Sequence, residues 1–131
     1  MTNTPPAMPS DSDSLDPQDW QGLRALGHQM LDDMFDFMAG LRDRPVWQPM
    51  PAELRAELKT PLPHAAGSLA DTYGDFQRLV QPYIAGNIHP RFMGWVQGGG
   101  NPVGVLAEML AATLNANLGG RDHAPIEVER E

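Results

Sequence analysis

The chain has 131 residues, room for one ordinary domain with a modest core. It carries 9 Lys and Arg against 17 Asp and Glu, a net charge of −8, which argues against a nucleic-acid groove, because phosphate backbones call for clustered cations. There is no cysteine, so disulfides, thiolate catalysis and Cys-based zinc sites are excluded.

The opening residues, MTNTPPAMPSDSDS, lack the basic and apolar regions of a signal peptide. No apolar run reaches the roughly 18 residues of a membrane span, so a soluble cytoplasmic protein is the expectation. Residues 1–14 are rich in Pro, Ser, Thr and Asp and are expected to be disordered.

LDPQDW then signals a helix start, with Asp16 as cap, Pro17 at the first helical position and Asp19 near the positive end. Trp20, Leu23, Gly27, Met30, Met34, Phe37 and Leu41 follow at alternating spacings of 3 and 4, which puts a seam on one helical face. The helix is expected to run to about Gly40, and its seam calls for a partner helix. RDRPVWQPMP should run extended because of its prolines. AELRAELK predicts a short helix, and TPLPHAAG a second connector. SLAD reads as a capping box that opens a helix carrying Leu69, Tyr73, Phe76, Val80 and Tyr83, with Pro82 weakening its last turn.

RFMGWV predicts a short extended segment. Asn101 and Pro102 predict a capped helix start, and residues 103–118 are apolar on nearly every face, as in a helix buried all round. Gly119 is placed to end that helix in the left-handed conformation, RDHAP to turn, and Pro125 to begin the next helix with Glu127 and Glu129 in its first turn. The seam, the apolar helix and the short final helix all ask for further surfaces, so the chain is expected to be a piece of something larger.

Few side chains point to chemistry. Gly98, Gly100 and Gly104 miss the G-x-G-x-x-G spacing by one residue, and no G-K-[ST] follows. The run is either a weak phosphate loop or a flexible turn that lets backbone approach another group closely. His28, His64, His89 and His123 are not paired at ligand spacing, which argues against a metal site. His89, before Pro90, is either structural or pocket-lining. Lys59, the only lysine, lies on the polar face of a short amphipathic helix and reads as solvated. Asn115 and Asn117 close an otherwise apolar helix and serve either as C-terminal caps or as the polar rim of a pocket.

In order and spacing, several stretches resemble the N-terminal portion of the group II pyridoxal-phosphate-dependent amino-acid decarboxylases, the family of aromatic-amino-acid, histidine and glutamate decarboxylases. GHQMLDDMFDFMAGLRDRPV resembles the family's first long helix and its RPV ending, and SLADTYGDFQRLVQPYIAGNIHPRFMGWV the helix leading to H-P-x-F and an aromatic pair. NPVGVLAEMLAATLNAN resembles the next buried helix, and APIEVE the helix that opens the large domain.

The resemblance covers residues 15–131. It implies a mainly α chain: an N-terminal helical dimerisation arm over 15–88, then residues 89–131 as the incomplete start of a fold-type I, PLP-dependent transferase-like large domain. It implies a homodimer, or pairing with a full-length relative, with the active site at the interface. Trp95, Val96, Gln97 and Gly98 would line the substrate side of the pocket, and Asn115, Asn117 and Leu118 would approach the partner's site. GWVQGGG departs here from the Tyr-Phe-Pro-Thr-like residues of relatives.

The Schiff-base lysine and the other residues that hold pyridoxal 5'-phosphate lie downstream in the family, and Lys59 does not match that lysine. The expected function is therefore a carboxy-lyase segment that is not catalytic and binds no cofactor by itself. The alternatives are a free-standing helical dimerisation or regulatory module, or a non-functional remnant.

Overall fold

A computed structural model describes residues 16–117, 119 and 123–130. The expectation of disorder over residues 1–14 and the site residue Leu118 lie outside the described residues. The described residues are mainly helical, with no strand among them. The chain divides into two units, Met1–Phe37 and Met38–Glu131.

Helix α1 spans Trp20–Ala39 and runs across the boundary between the units. It starts later than the sequence predicts. The cap is Asp19, whose Oδ1 accepts from the Gln21 and Gly22 N–H groups at 3.0 and 2.9 Å, while Asp16 and Pro17 precede the helix. Both aspartates precede the apolar seam, but only Asp19 stands within reach of the first free N–H groups. Along the seam Trp20, Leu23 and Met30 are exposed. Leu41, its predicted last member, falls instead in a 3-10 turn at Leu41–Asp43.

In the second unit, α2 covers Ala52–Glu57, so Leu58 and Lys59 lie past its end. Helix α3, Leu69–Asp75, opens as predicted: Ser68 Oγ accepts from the Asp71 N–H at 3.3 Å. It continues as a π-helical turn, Phe76–Val80, and a 3-10 turn, Gln81–Tyr83. Pro82 accounts for the break, because it has no N–H to give the Arg78 carbonyl and its ring crowds that group. With the turn no longer holding 3.6 residues, the 3–4 spacing stops tracking one face. Of the spaced apolar residues Tyr73 is buried, whereas Leu69, Phe76 and Val80 are exposed, and Leu79, outside that spacing, is buried. Arg78 joins α3 to α2 through Glu57 at 2.7 Å and also pairs with Asp75 at 2.9 Å.

Helix α4, Pro102–Leu114, has the predicted start, with Asn101 Oδ1 accepting from Gly104 N–H at 2.8 Å and Pro102 in the first turn. Its predicted end is corrected. Asn115, not Gly119, takes the left-handed conformation, at φ 44 and ψ 45. Asparagine is among the few residues for which that region costs little. The expectation that α4 is buried all round is not met: Val103, Leu106, Met109, Leu110 and Leu114 are all exposed. Its composition calls for cover that the described residues do not provide. Helix α5, Ala124–Arg130, begins one residue before Pro125 and buries Ile126, whose N–H donates to the His123 carbonyl at 3.1 Å.

Candidate functional site

In the second unit, residues 86–98 form a turn held by a set of specific contacts. At its start Gly86 has φ 82, and a Cβ there would overlap the Val46 carbonyl, so two backbone segments meet at a position only glycine fits. The His89 N–H donates to the Gly86 carbonyl at 2.9 Å, and the His89 carbonyl accepts from the Phe92 N–H at 2.9 Å. His89 Nδ1 accepts from the Arg91 N–H at 3.0 Å. His89 is only 4% exposed, and its Nε2 has no hydrogen-bond partner among the described residues.

Two longer links fix the ends of the turn. Arg91 donates through its guanidinium to the Arg42 carbonyl at 3.2 Å, and the Asn87 amide donates to the Gly98 carbonyl at 3.0 Å. The prolines of the 45–51 connector had marked it as extended; in the fold it is also a support, since Gln48 donates to the Pro82 carbonyl at 3.0 Å.

The turn presents an aromatic pair. Phe92 and Trp95 have ring centroids 6.3 Å apart at an interplanar angle of 49°, a tilted arrangement. The Phe92 ring lies over Gly94, where a Cβ would come within 3.0 Å of it. Trp95 is 81% exposed and sits at φ 36, a left-handed conformation that is an outlier for so bulky a residue. The predicted extended segment over RFMGWV is thus a series of turns and bends, because the local hydrogen bonds of His89 curl the chain before it can extend.

The structure places the sequence-predicted site residues in two local groups. Trp95, Val96, Gln97 and Gly98 are exposed and consecutive, and Gly98 is tied back to Asn87. Asn115 ends α4, and Asn117 Oδ1 accepts from the Gly119 N–H at 2.7 Å. Asn115 thus occupies the C-cap position, and the Asn117 side chain makes a local contact beyond the helix end. Ala116 between them lines a largely apolar cavity of about 640 Å³ together with Leu114, Pro125, Val128 and Glu129.

Sequence reasoning missed the Phe92–Trp95 pairing, the Gly86–Val46 approach and the hub role of His89. The GNIHP turn beside an aromatic pair was the signal for them.

Among the described residues no group of three or more His, Asp or Glu could hold a metal ion. No described helix is long and apolar enough to cross a membrane. Lys59 is exposed in the turn after α2, its N–H donating to the Ala56 carbonyl at 3.0 Å.

No protein-family model matches the chain. It is 32% identical over 94 residues to an aromatic-L-amino-acid decarboxylase of Bacillus atrophaeus, a stretch covering 71% of this chain and 20% of that protein. It is 28% identical over 102 residues to tryptophan decarboxylase 2 of Oryza sativa subsp. japonica, covering 77% of this chain and 20% of the relative. With a tyrosine decarboxylase of the same plant it shares 32% identity over 115 residues, covering 86% and 22%. The chain therefore spans about a fifth of the length of the curated relatives it matches.

Proposed function

We propose that this decarboxylase-like chain is the N-terminal segment of a group II, pyridoxal-phosphate-dependent amino-acid decarboxylase. In this reading residues 15–88 are a dimerisation arm and residues 89–131 open the transferase-like large domain. The assembled enzyme is a cytoplasmic homodimer acting on an amino acid. The observation that carries the reading is the similarity to three decarboxylases over 71–86% of this chain. Trp95, exposed and tilted against the half-buried Phe92, supports it as an aromatic surface suited to one wall of a substrate pocket.

The segment's contribution is recognition. Trp95, Val96, Gln97 and Gly98 form the substrate-side edge, and the 115–118 region approaches the partner's site. The described residues do not fit the cofactor themselves. Holding it calls for a positioned lysine, a countercharge for the ring nitrogen and donors for the phosphate. Lys59 stands exposed at the end of a short helix, and the net charge of −8 disfavours an anionic ligand. No chemical step is assigned to this chain.

Two measurements test the reading. In a complete decarboxylase carrying this stretch, Trp95→Ala is expected to change the ranking of amino-acid substrates more than the affinity for the cofactor. Loss of cofactor binding with an unchanged ranking counts against it. In an absorbance titration of this chain with pyridoxal phosphate, only weak imine formation typical of a surface lysine is expected. A tight stoichiometric band that vanishes in Lys59→Arg would show a cofactor site around Lys59.

A further inference from the structure

We infer that His89 is a positioning residue for the Trp95 edge, held as the Nε2–H tautomer, and serves neither as a base nor as a metal ligand. The tautomer follows from the Arg91 N–H, which donates to Nδ1 at 3.0 Å. A nitrogen that accepts a backbone N–H carries no proton, so in the neutral ring the proton is on Nε2. Nε2 then has no lone pair in the ring plane to offer a metal or a proton. It is a donor, in a side chain only 4% exposed, and it finds no acceptor among the described residues.

The route from His89 to Trp95 is continuous. The Nδ1 contact and the His89 carbonyl hold the N–H groups of Arg91 and Phe92, which sets the turn. The turn lays the Phe92 ring over Gly94 and against Trp95. Trp95 keeps its left-handed φ of 36 with most of its surface in solvent, so burial of its own side chain is not what holds it there. Left-handed backbone is costly for a bulky residue, and neighbouring structure must offset that cost. The turn built on His89 is the neighbouring structure that contacts it. Describing Trp95 as a pocket edge rests on the proposed function; the positioning geometry does not.

Nuclear magnetic resonance on this chain tests the inference without any catalysis, so its failure is separable from failure of the decarboxylase reading. Long-range nitrogen–proton correlations should show His89 with a bare Nδ1 and a protonated Nε2. His89→Asn places its Oδ1 where Nδ1 stands and should keep both the protection of the Arg91 amide and the Phe92–Trp95 cross-peaks. His89→Gln reaches only to the Nε2 position. It should lose those cross-peaks and speed Arg91 amide exchange about fivefold to tenfold, the loss of one net hydrogen bond. An Nδ1–H tautomer in the wild-type chain, or equal behaviour of the two variants while folded, overturns the inference. If both variants unfold, the wild-type tautomer decides it.

Discussion

At Gly86 the backbone turns at φ 82 directly against the Val46 carbonyl. Any side chain there meets both a left-handed backbone and a carbonyl that belongs to another segment and cannot rotate away. Gly86→Ala is therefore expected to destabilise the second unit by roughly 1–3 kcal/mol, read as a lowered midpoint in thermal or urea unfolding. An unchanged midpoint would mean that the Val46 segment of the connector can retreat at little cost. Glycine at this position was visible in the sequence only as part of the GNIHP turn; its necessity comes from residue 46, forty positions away. Arg78 is a contrasting case. Hydrogen bonds first to Glu57 and then to Asp75 raise its pKa above the already high arginine value, so it stays charged and contributes no pH dependence of its own.

Among the elements, the capped starts of α3 and α4 were legible, while the start of α1 and the helix ends were not. Ser68 and Asn101 cap as predicted because capping needs only a short polar side chain three residues before a free N–H. Asn101→Ala is expected to cost about 1 kcal/mol, appearing as faster amide exchange in the first turn of α4. Equal exchange at Gly104 in both proteins would remove the cap from the account. The ends depend on more. Asn115 turns left-handed four residues before the glycine that seemed suited to the task, and Pro82 converts the close of α3 into π and 3-10 turns. Past that conversion the 3–4 spacing no longer tracks one face: Val80 is exposed while Leu79 is buried.

At the scale of the molecule, the buried apolar residues among those described are Tyr73, Leu79 and Ile126, against Trp20, Leu23 and Met30 exposed on α1 and a longer exposed row on α4. Such surface is what a larger assembly covers. The homodimer proposed here is expected to form through the α1 seam, with each large side chain removed from water contributing at most about 1.5–3 kcal/mol. Met30 lies on that seam and is exposed, so Met30→Asp should abolish association while leaving helix content unchanged. Sedimentation velocity checks this, and a monodisperse, folded wild-type monomer at high concentration would sink the idea.

The sequence by itself determined the helical class, the caps at Ser68 and Asn101, the proline-rich connectors and a resemblance that the decarboxylase matches support. All of these depend on residues near one another in the chain, where spacing and side-chain chemistry act directly. It also named Trp95 as a candidate, but not how Trp95 is held. The burial of His89, the tilt of Phe92 against Trp95, the link from Arg91 to Arg42 and the approach of Gly86 to Val46 were decided by the tertiary structure. The long-range links join segments about forty or more residues apart. Each requires a group to meet a partner that no local periodicity encodes.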